Sequence, residues 1–204
     1  MHVEFLIEEE SCARVLESLV PRVVGAETTF HMHVFQGKED LLSSLPQRLR
    51  GYKSWLPDDW RIVVLVDRDD ADCHVLKRTL EQAAAGAGFL TRSMASRKRF
   101  QVLTRIAIEE LEAWFLGDVP ALVAAYPRVP ATLAQKRGFR DCDGISGGTW
   151  EALERVLKRA GYYGAGMPKV EVARNVARHM VIDRNRSHSF KVFCDGLKAV
   201  VMQS

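Results

Sequence analysis

Acidic side chains follow three of the most apolar runs in this sequence. Glu8 comes directly after FLI, Asp67 after IVVLV, and Glu109, Glu110 and Glu112 after RIAI. If these runs are neighbouring parallel strands, their carboxyl ends meet at one edge of a sheet, where α/β proteins bind ligands. Carboxylates packed this closely repel one another unless a cation neutralises them or some stay protonated. The spacing therefore predicts an acidic crevice that holds a positive charge.

The segment VDRDDADC, residues 66–73, is the densest acidic stretch. An Asp-x-Asp pair directly after a buried strand lets Asp67 and Asp69 reach one metal ion. Asp72 is better placed to cap the helix that begins near Cys73, because aspartate is a favoured N-cap residue. Oxygen ligands without clustered cysteine or histidine favour Mg²⁺ or Mn²⁺ over Zn²⁺. Magnesium or manganese binding is therefore the chemistry predicted for this pair.

Alternating strands and helices must position these acids. Apolar and alternating patterns predict strands at 3–7, 29–35, 61–66 and 100–108, the third of them a central strand covered on both faces. Helical spacing predicts a first helix capped by Ser11, a second in KEDLLSSLPQRLRGYKSWL that breaks or shifts at its proline, and a third over CHVLKRTLEQAAAGAG. This order predicts an α/β fold whose mostly parallel sheet has right-handed crossovers and flanking helices.

The second half of the chain has a different pattern. Short helical stretches, among them WEALERVLKRAGYY and KVEVARNVARHM, are joined by loops that contain glycine and proline, and SFKVFCDGLKAVVM closes the chain as a helix. We predict an α/β core over residues 1–118 and a C-terminal helical annex over 119–204 that packs on it. Thr149, and either Ser187 or Ser189, are the expected N-caps of annex helices.

Composition limits the class of protein. With 204 residues, 47% hydrophobic and 27% charged side chains, the chain has the make-up of an ordered globular domain. No run approaches the roughly 18 apolar residues that a membrane span needs, so we expect no membrane association. The N-terminus lacks the pattern of a secretion signal, which predicts a cytoplasmic location. The four scattered cysteines indicate neither a zinc site nor a disulfide framework.

The net charge of +3 is small, but the basic residues are concentrated in RSMASRKRF, QKRGFR and ARNVARHMVIDRNRSH. An acidic cluster inside a basic surround suits a metal site that meets a polyanion, although an ordinary mixed surface explains the charges nearly as well. For Arg186, an ion pair with one of the clustered acids is the alternative to a phosphate contact. The residues expected to contact nucleic acid are Arg68, Arg97, Lys98, Arg99, Arg184 and Arg186.

Several motifs resemble known families. The opening FLIEE, the DRD at 67–69 and the α/β order between them resemble the Toprim catalytic domain, which occurs in topoisomerases, primases and OLD-type phage-defence nucleases. The motifs GKEDLL, RLRGY, VLVDRDD, IAIEELEAWFLGD, GGTWEAL and NRSHSF resemble DUF4276, a bacterial family of Toprim-like proteins, over most of the chain. The general Toprim resemblance is confined to roughly the first 115 residues.

The Toprim resemblance implies roles for individual acids. In Toprim proteins a glutamate after the first strand and the Asp-x-Asp pair bind Mg²⁺, which points to Glu8, Asp67 and Asp69 as ligands and to Glu8 as a group that takes part in acid–base chemistry. Many Toprim motifs have glycine after that glutamate, whereas this chain has Glu9. Glu8 and Glu9 therefore remain alternative ligands.

OLD-type nucleases add further carboxylates for a second metal, and a lysine. By this resemblance Glu112, in the distinctive stretch ELEAWF, is the first choice for the added acid, and Glu109 is the second. Lys169, in MPKVE, is the candidate for the lysine.

The function that the resemblance implies is Mg²⁺- or Mn²⁺-dependent cleavage of phosphodiester bonds in DNA or RNA. OLD-type relatives are coupled to ABC-like ATPases, and this chain has no nucleotide-binding loop of its own. We therefore expect an ABC- or AAA-type ATPase partner in a phage-defence or DNA-repair system, and a homo-oligomer is a further expectation. Two alternatives stay open: a non-catalytic subunit that binds metal and nucleic acid, and, ranked last, a phosphatase of the haloacid dehalogenase type.

Two other features have a structural explanation that we favour over a functional one. His31 and His33 share one strand face, which is more typical of an exposed face than of a two-histidine metal site. Trp114 and Phe115 lie in an amphipathic helix, so core packing is expected rather than base stacking.

Overall fold

The computed structural model describes residues 1–96 and 99–203. Within these residues four parallel strands form one sheet in the order β2-β1-β3-β4, which confirms the predicted α/β fold. The strands are β1 (His2–Ile7), β2 (Thr29–Val34), β3 (Trp60–Asp67) and β4 (Val102–Ala107). The α-helices of the described ranges are α1 (Glu10–Val24), α2 (Lys38–Lys53), α3 (Cys73–Gly86), α4 (Glu112–Gly117), α5 (Val119–Ala125), α6 (Thr149–Arg159), α7 (Lys169–Ala177) and α8 (His188–Val201).

The register of the sheet aligns the carboxyl ends of its strands. Ile7 pairs with Val34 of β2 and with Leu65 of β3, and Asp67 pairs with Ala107 of β4. The residues that follow β1, β3 and β4 therefore lie side by side at one edge of the sheet. This is the arrangement that the spacing of the acids predicts.

Both faces of the sheet are covered. Phe5 and Val63 belong to a buried cluster that includes α1, α4 and α8 on one face, whereas Leu6 and Val64 belong to a second cluster with α2 and α3 on the other. β3 is fully apolar from Ile62 to Val66 because each of its side chains enters one of these two cores.

The helical annex shares a core with the sheet. Trp114 is completely buried, and its ring packs against Phe190 and Phe193 of α8 with centroid distances of 5.3 and 5.0 Å. The expected structural role of this tryptophan is thereby confirmed. A single buried cluster contains residues from both sides of position 118, so the proposed domain boundary stays a prediction.

Three local expectations need correction. Ser11 is not the N-cap of α1: Glu9 occupies that position, and the hydroxyl of Ser11, the second residue of the helix, donates to the Glu9 carboxylate. α2 runs without a break through Pro46, because its buried leucines recur at helical spacing on both sides of the proline. Gly148 rather than Thr149 is the N-cap of α6. The caps predicted at Asp72 and Ser187 are confirmed.

In the part of the chain that the structure describes, no helix is both long enough and apolar enough to cross a membrane. All four cysteines are unpaired thiols, three of them buried, in agreement with the absence of a disulfide framework from the sequence pattern.

Candidate functional site

Glu8 and Asp67 meet where β1 and β3 end. Glu8 follows the last residue of β1, and its Oε2 accepts a hydrogen bond of 3.2 Å from the backbone N–H of Asp67. Burial raises the pKa of Glu8, although the Asp67 N–H and the ammonium group of Lys38 act against this effect. The Glu8 side chain therefore loses part of its hydration and gains a hydrogen bond to the last residue of β3.

Asp67 is the last residue of β3 and stands at the centre of the acidic cluster. Loss of hydration raises the pKa of its carboxyl group well above the ordinary value, and the carboxylates of Glu112, Glu8, Glu9 and Asp69 raise it further. Four acids thus act on one aspartate at the edge of the sheet. Such repulsion is relieved by a proton or by a bound cation.

Glu112 enters the same cluster from α4. It is the first residue of that helix and only 2% exposed, and burial raises its pKa to about 7. Within the described residues its Oε2 is buried without a hydrogen-bond partner. Burying a polar oxygen without a partner costs about 1–3 kcal/mol, and more when it is charged. A cation or a hydrogen-bond donor at this oxygen would remove that cost.

Lys169 faces the acids from α7. Its Nζ lies 3.7 Å from Oε2 of Glu9 and 5.3 Å from the centre of the Trp150 ring. Burial alone would lower the pKa of Lys169, but the carboxylates of Glu112, Glu9 and Asp67 raise it overall. The lysine that the resemblance suggests is therefore a protonated ammonium group beside the acidic cluster.

Glu110 has a structural role at this edge. Its Oε2 accepts hydrogen bonds from the Thr149 hydroxyl at 2.9 Å and from the Trp150 N–H at 2.8 Å. A carboxylate at a helix N-terminus satisfies free N–H groups and interacts favourably with the helix dipole. Glu110 thus joins the start of α6 to the end of β4.

Two of the predicted metal ligands are engaged by cations instead. Asp69, in a left-handed conformation with φ of 47°, forms an ion pair with Lys38, whose Nζ also donates to the Arg68 carbonyl at 3.0 Å. Glu109 forms an ion pair with Arg68. The carboxylates of Asp69 and Glu109 therefore bind basic side chains beside the acidic cluster.

Lys38 is a residue of this site that was not predicted from the sequence. It begins α2, shortly after β2 ends, so the rule that ligand-binding residues follow parallel strands would have included it.

The residues of this site supply the type of donor atom that a divalent cation prefers, but they are not already arranged around one point. Glu8, Asp67 and Glu112 supply only oxygen donors, the set that Mg²⁺ and Mn²⁺ prefer, and Glu112 has an unpartnered oxygen. Among the described residues, however, no three histidine, cysteine, aspartate or glutamate side chains are arranged to hold a metal ion. A cation at this site would therefore draw the carboxylates closer together.

The predicted nucleic-acid contacts are not brought together. Arg184 forms an ion pair with the buried Asp118, with Nε and Oδ1 2.7 Å apart. Arg186 donates to main-chain carbonyls and forms no ion pair with an acid among the described residues, so its contact with phosphate stays a prediction. Arg99 lines a cavity at the opposite, amino-terminal end of the sheet. Arg68 alone of the four lies at the acidic site, through its ion pair with Glu109. Arg97 and Lys98 lie outside the described residues.

The two histidines of β2 differ from each other. His31 is exposed, as expected, but His33 is half-buried and its Nε2 lies 2.6 Å from Oε2 of Glu4 and 2.8 Å from the Tyr52 hydroxyl. The expectation of an exposed face was therefore wrong for His33. The reason is that Glu4, in the middle of β1, is 95% buried and needs a polar partner.

Comparison with known proteins places the chain in a family. A family model described as "Domain of unknown function (DUF4276)" matches residues 7–198. The chain belongs to the DUF4276 family. The DUF4276 match contains the acidic site, Lys169 and nearly all of the annex, so the whole arrangement lies inside the shared domain. No curated protein and no solved structure shows significant similarity to this DUF4276 chain. Its relation to Toprim proteins stays a prediction.

Proposed function

We propose that this DUF4276 protein is a Mg²⁺- or Mn²⁺-dependent nuclease that hydrolyses phosphodiester bonds of DNA or RNA. The observation that carries the proposal is the acidic cluster of Glu8, Asp67 and Glu112 at the carboxyl edge of the sheet, with Lys169 facing it. Glu8 and Glu112 raise the pKa of Asp67, and the carboxylates of Glu112 and Asp67 raise the pKa of Lys169. Structural ion-pair networks also shift pKa values. At this site, in addition, Oε2 of Glu112 is buried without a hydrogen-bond partner among the described residues.

Each side chain has a distinct task in this proposal. Glu8, Asp67 and Glu112 would hold the cation, with Glu9 as the alternative to Glu8. A divalent ion bound there supplies polarisation of a phosphoryl oxygen and a lowered pKa for an attacking water. Lys169 places a positive charge where negative charge develops on the phosphate, and a preorganised charge of this kind stabilises a transition state. The Glu9 carboxylate holds that ammonium group in place.

Glu8 is also the group best placed to accept a proton from the attacking water. It is partly exposed, unlike Glu112, and burial raises its pKa above the ordinary value. A general base works best when its pKa lies near the working pH. No serine or cysteine nucleophile is required, because water attacks the phosphorus directly.

One observation favours the alternative of a non-catalytic binding subunit. Asp69 and Glu109, both expected ligands, are neutralised by Lys38 and Arg68 rather than directed at a common point. A binding subunit holds nucleic acid without hydrolysing it, with or without a cation between its carboxylates. Cleavage in Mg²⁺ or Mn²⁺ therefore separates the two functions, because only the nuclease hydrolyses the strand that it binds.

The deciding experiment compares cleavage of DNA and RNA by the wild-type protein with cleavage by Asp67→Asn and Glu112→Gln, in Mg²⁺ and in Mn²⁺. We expect each variant to lose activity by about 100-fold or more, because each removes a carboxylate of the cation site. Glu151→Gln is the matched control, since Glu151 is exposed on α6 and is not one of the carboxylates assigned to the cation. Cleavage that is equal in all four proteins would refute the assignment. A wild-type protein that cleaves neither nucleic acid and binds no cation would favour the binding subunit.

We extend the proposal to a cytoplasmic phage-defence or repair system with an ABC- or AAA-type ATPase partner. The resemblance to OLD-type proteins supports this extension. Nuclease assays with and without an ATPase encoded beside this gene test it, because a genuine partner should change the rate in an ATP-dependent way. Sedimentation of the purified chain tests the expected homo-oligomer.

A further inference from the structure

Three arginines line a cleft in the helical annex. Arg137 lies in a short 3-10 turn, Arg137–Phe139, and faces Arg155 and Arg159, which are one turn apart on α6. The cleft has a volume of about 470 Å³ and an apolar floor that includes Val156. We call it the arginine cleft. None of its arginines was among the nucleic-acid contacts predicted from the sequence.

The positive charge of the arginine cleft is not neutralised internally. All three guanidinium groups are exposed, and no described residue forms a hydrogen bond or an ion pair with any of them. Asp141 also lines the cleft, but its carboxylate accepts the Asp143 N–H at 3.1 Å instead of pairing with an arginine. Guanidinium groups without a protein partner suit phosphate, which they bind through two parallel hydrogen bonds.

The helix α6 connects the arginine cleft to the acidic site. Its first turn is bound by Glu110, whose Oε2 accepts from the Trp150 N–H at 2.8 Å. A rise of about 1.5 Å per residue places Arg155 about 8 Å and Arg159 about 14 Å further along the axis. Since a duplex strand advances about 3.4 Å per nucleotide, these distances from the Glu110-bound start of α6 correspond to some two to four nucleotides.

The opposite wall of the cleft is fixed to the same site by Arg186. Its Nη1 donates to the Arg140 carbonyl at 2.9 Å and its Nη2 to the Leu116 carbonyl at 3.2 Å. Leu116 belongs to α4, the helix that begins with Glu112. Arg186 is therefore a positioning residue that ties the segment around Arg137 to the element that carries a central acid.

We infer that the arginine cleft binds the phosphodiester backbone of the nucleic-acid strand that enters the acidic site. This inference rests on the nuclease function proposed above and adds the surface that holds the substrate. Arg137, Arg155 and Arg159 contact phosphates of one strand, and helix α6 carries two of these arginines away from the acidic site. The contacts are to the backbone, so the cleft contributes affinity rather than sequence specificity.

The test is the binding of a labelled DNA single strand, and of its duplex, followed by fluorescence anisotropy in EDTA so that no cleavage occurs. Arg155→Gln/Arg159→Gln should weaken binding roughly tenfold or more at about 0.1 M salt. The slope of log affinity against log salt should fall by about 1.4 for the single strand, at about 0.7 per phosphate contact. Lys158→Gln/Lys198→Gln is the matched control, because it removes two exposed positive charges outside the cleft.

The outcomes separate this inference from the proposed function. If the arginine variant binds as tightly as the lysine control, the arginine cleft is not the backbone site, whether or not the wild type cleaves DNA. If the arginine variant alone loses affinity while the wild type fails to cleave in Mg²⁺ or Mn²⁺, the cleft stands and the nuclease proposal fails. A wild type that binds no nucleic acid overturns the inference. Arg155→Lys/Arg159→Lys, which keeps the charges, should retain most of the affinity and rules out an effect of misfolding.

Discussion

The ammonium group of Lys169 lies 3.7 Å from Oε2 of Glu9, so the first residue of α7 reaches the residue that caps α1. Glu9 and Lys169 are far apart in the sequence, and they meet because α1 and α7 pack closely along their lengths. The acidic site is therefore completed by the annex. Without α7, the carboxylates at the edge of the sheet would lack the ammonium group of Lys169.

Replacement of Lys169 tests its role in catalysis. Lys169→Met should lower kcat for nucleic-acid cleavage by about 100-fold, because one preorganised charge at the transition state is worth about 2.7–4 kcal/mol. KM should change little, and Lys169→Arg should restore part of the rate because it keeps the charge. Single-turnover cleavage measures the effect. Lys158→Met, an exposed lysine on α6, is the control, and equal rates for the two methionine variants would exclude Lys169 from the reaction.

Binding of the cation should stabilise the folded chain. At free Mn²⁺ about ten times its dissociation constant, the gain is about 1.4 kcal/mol, which raises Tm by roughly 3–6 °C for a domain of this size. Glu112→Gln should abolish the rise, because it removes the buried oxygen that lacks a partner. Glu151→Gln should keep it. Thermal unfolding with Mn²⁺ and with EDTA supplies the measurement, and an equal rise in both variants would place the cation elsewhere.

The sequence predicts the acids of this site better than their partners. Glu8 and Asp67 directly follow short apolar runs, and such a run followed by polar residues is a local signal of a buried strand and its end. The pairing of Asp69 with Lys38 and of Glu109 with Arg68 depends on how loops from different strands meet, which no local pattern encodes. Lys169 was found through resemblance alone, for the same reason.

The same limit applies to the basic residues: the sequence shows where they are, but it does not show which groups they bind. Arg184 and Arg186 lie in a strongly basic segment of the sequence. In the fold, however, Arg184 binds the carboxylate of Asp118 and Arg186 donates to main-chain carbonyl groups. Arg155 and Arg159 share one face of α6 at a spacing of four, so the pattern was available. What the pattern cannot show is that no acid opposes them, because that depends on the turn that carries Arg137.

Arg184 should matter for stability rather than for nucleic-acid binding. Asp118 is completely buried and accepts from Arg184 Nε at 2.7 Å, so Arg184→Gln leaves its carboxylate without the neutralising charge. Removing one partner of such a pair should lower the free energy of unfolding by roughly 2–4 kcal/mol. Urea denaturation measures this loss, with Arg178→Gln, an exposed neighbour, as the control. If the variant keeps the stability of the wild type but binds DNA weakly, the prediction is wrong and Arg184 contacts nucleic acid.

Glu81 should give the protein a pH dependence far from the acidic site. Burial alone would raise the pKa of Glu81, but hydrogen bonds from Thr104, Thr91 and Lys77 lower it below the ordinary value of 4.5. Because the folded pKa is depressed, the stability that these bonds add is present above the unfolded pKa. It disappears as the pH falls through the folded pKa.

Glu81→Gln tests this linkage. The variant should lose about 1–3 kcal/mol of unfolding free energy at pH 7, where the wild-type carboxylate accepts charge-assisted bonds. The difference between wild type and variant should shrink as the pH is lowered below 4.5, since the wild-type carboxyl group then becomes neutral as well. Urea denaturation of both proteins at a series of pH values gives the curve, and Glu151→Gln should give no such trend. A difference that is constant across the series would mean that Glu81 stabilises the fold through packing and not through its charge.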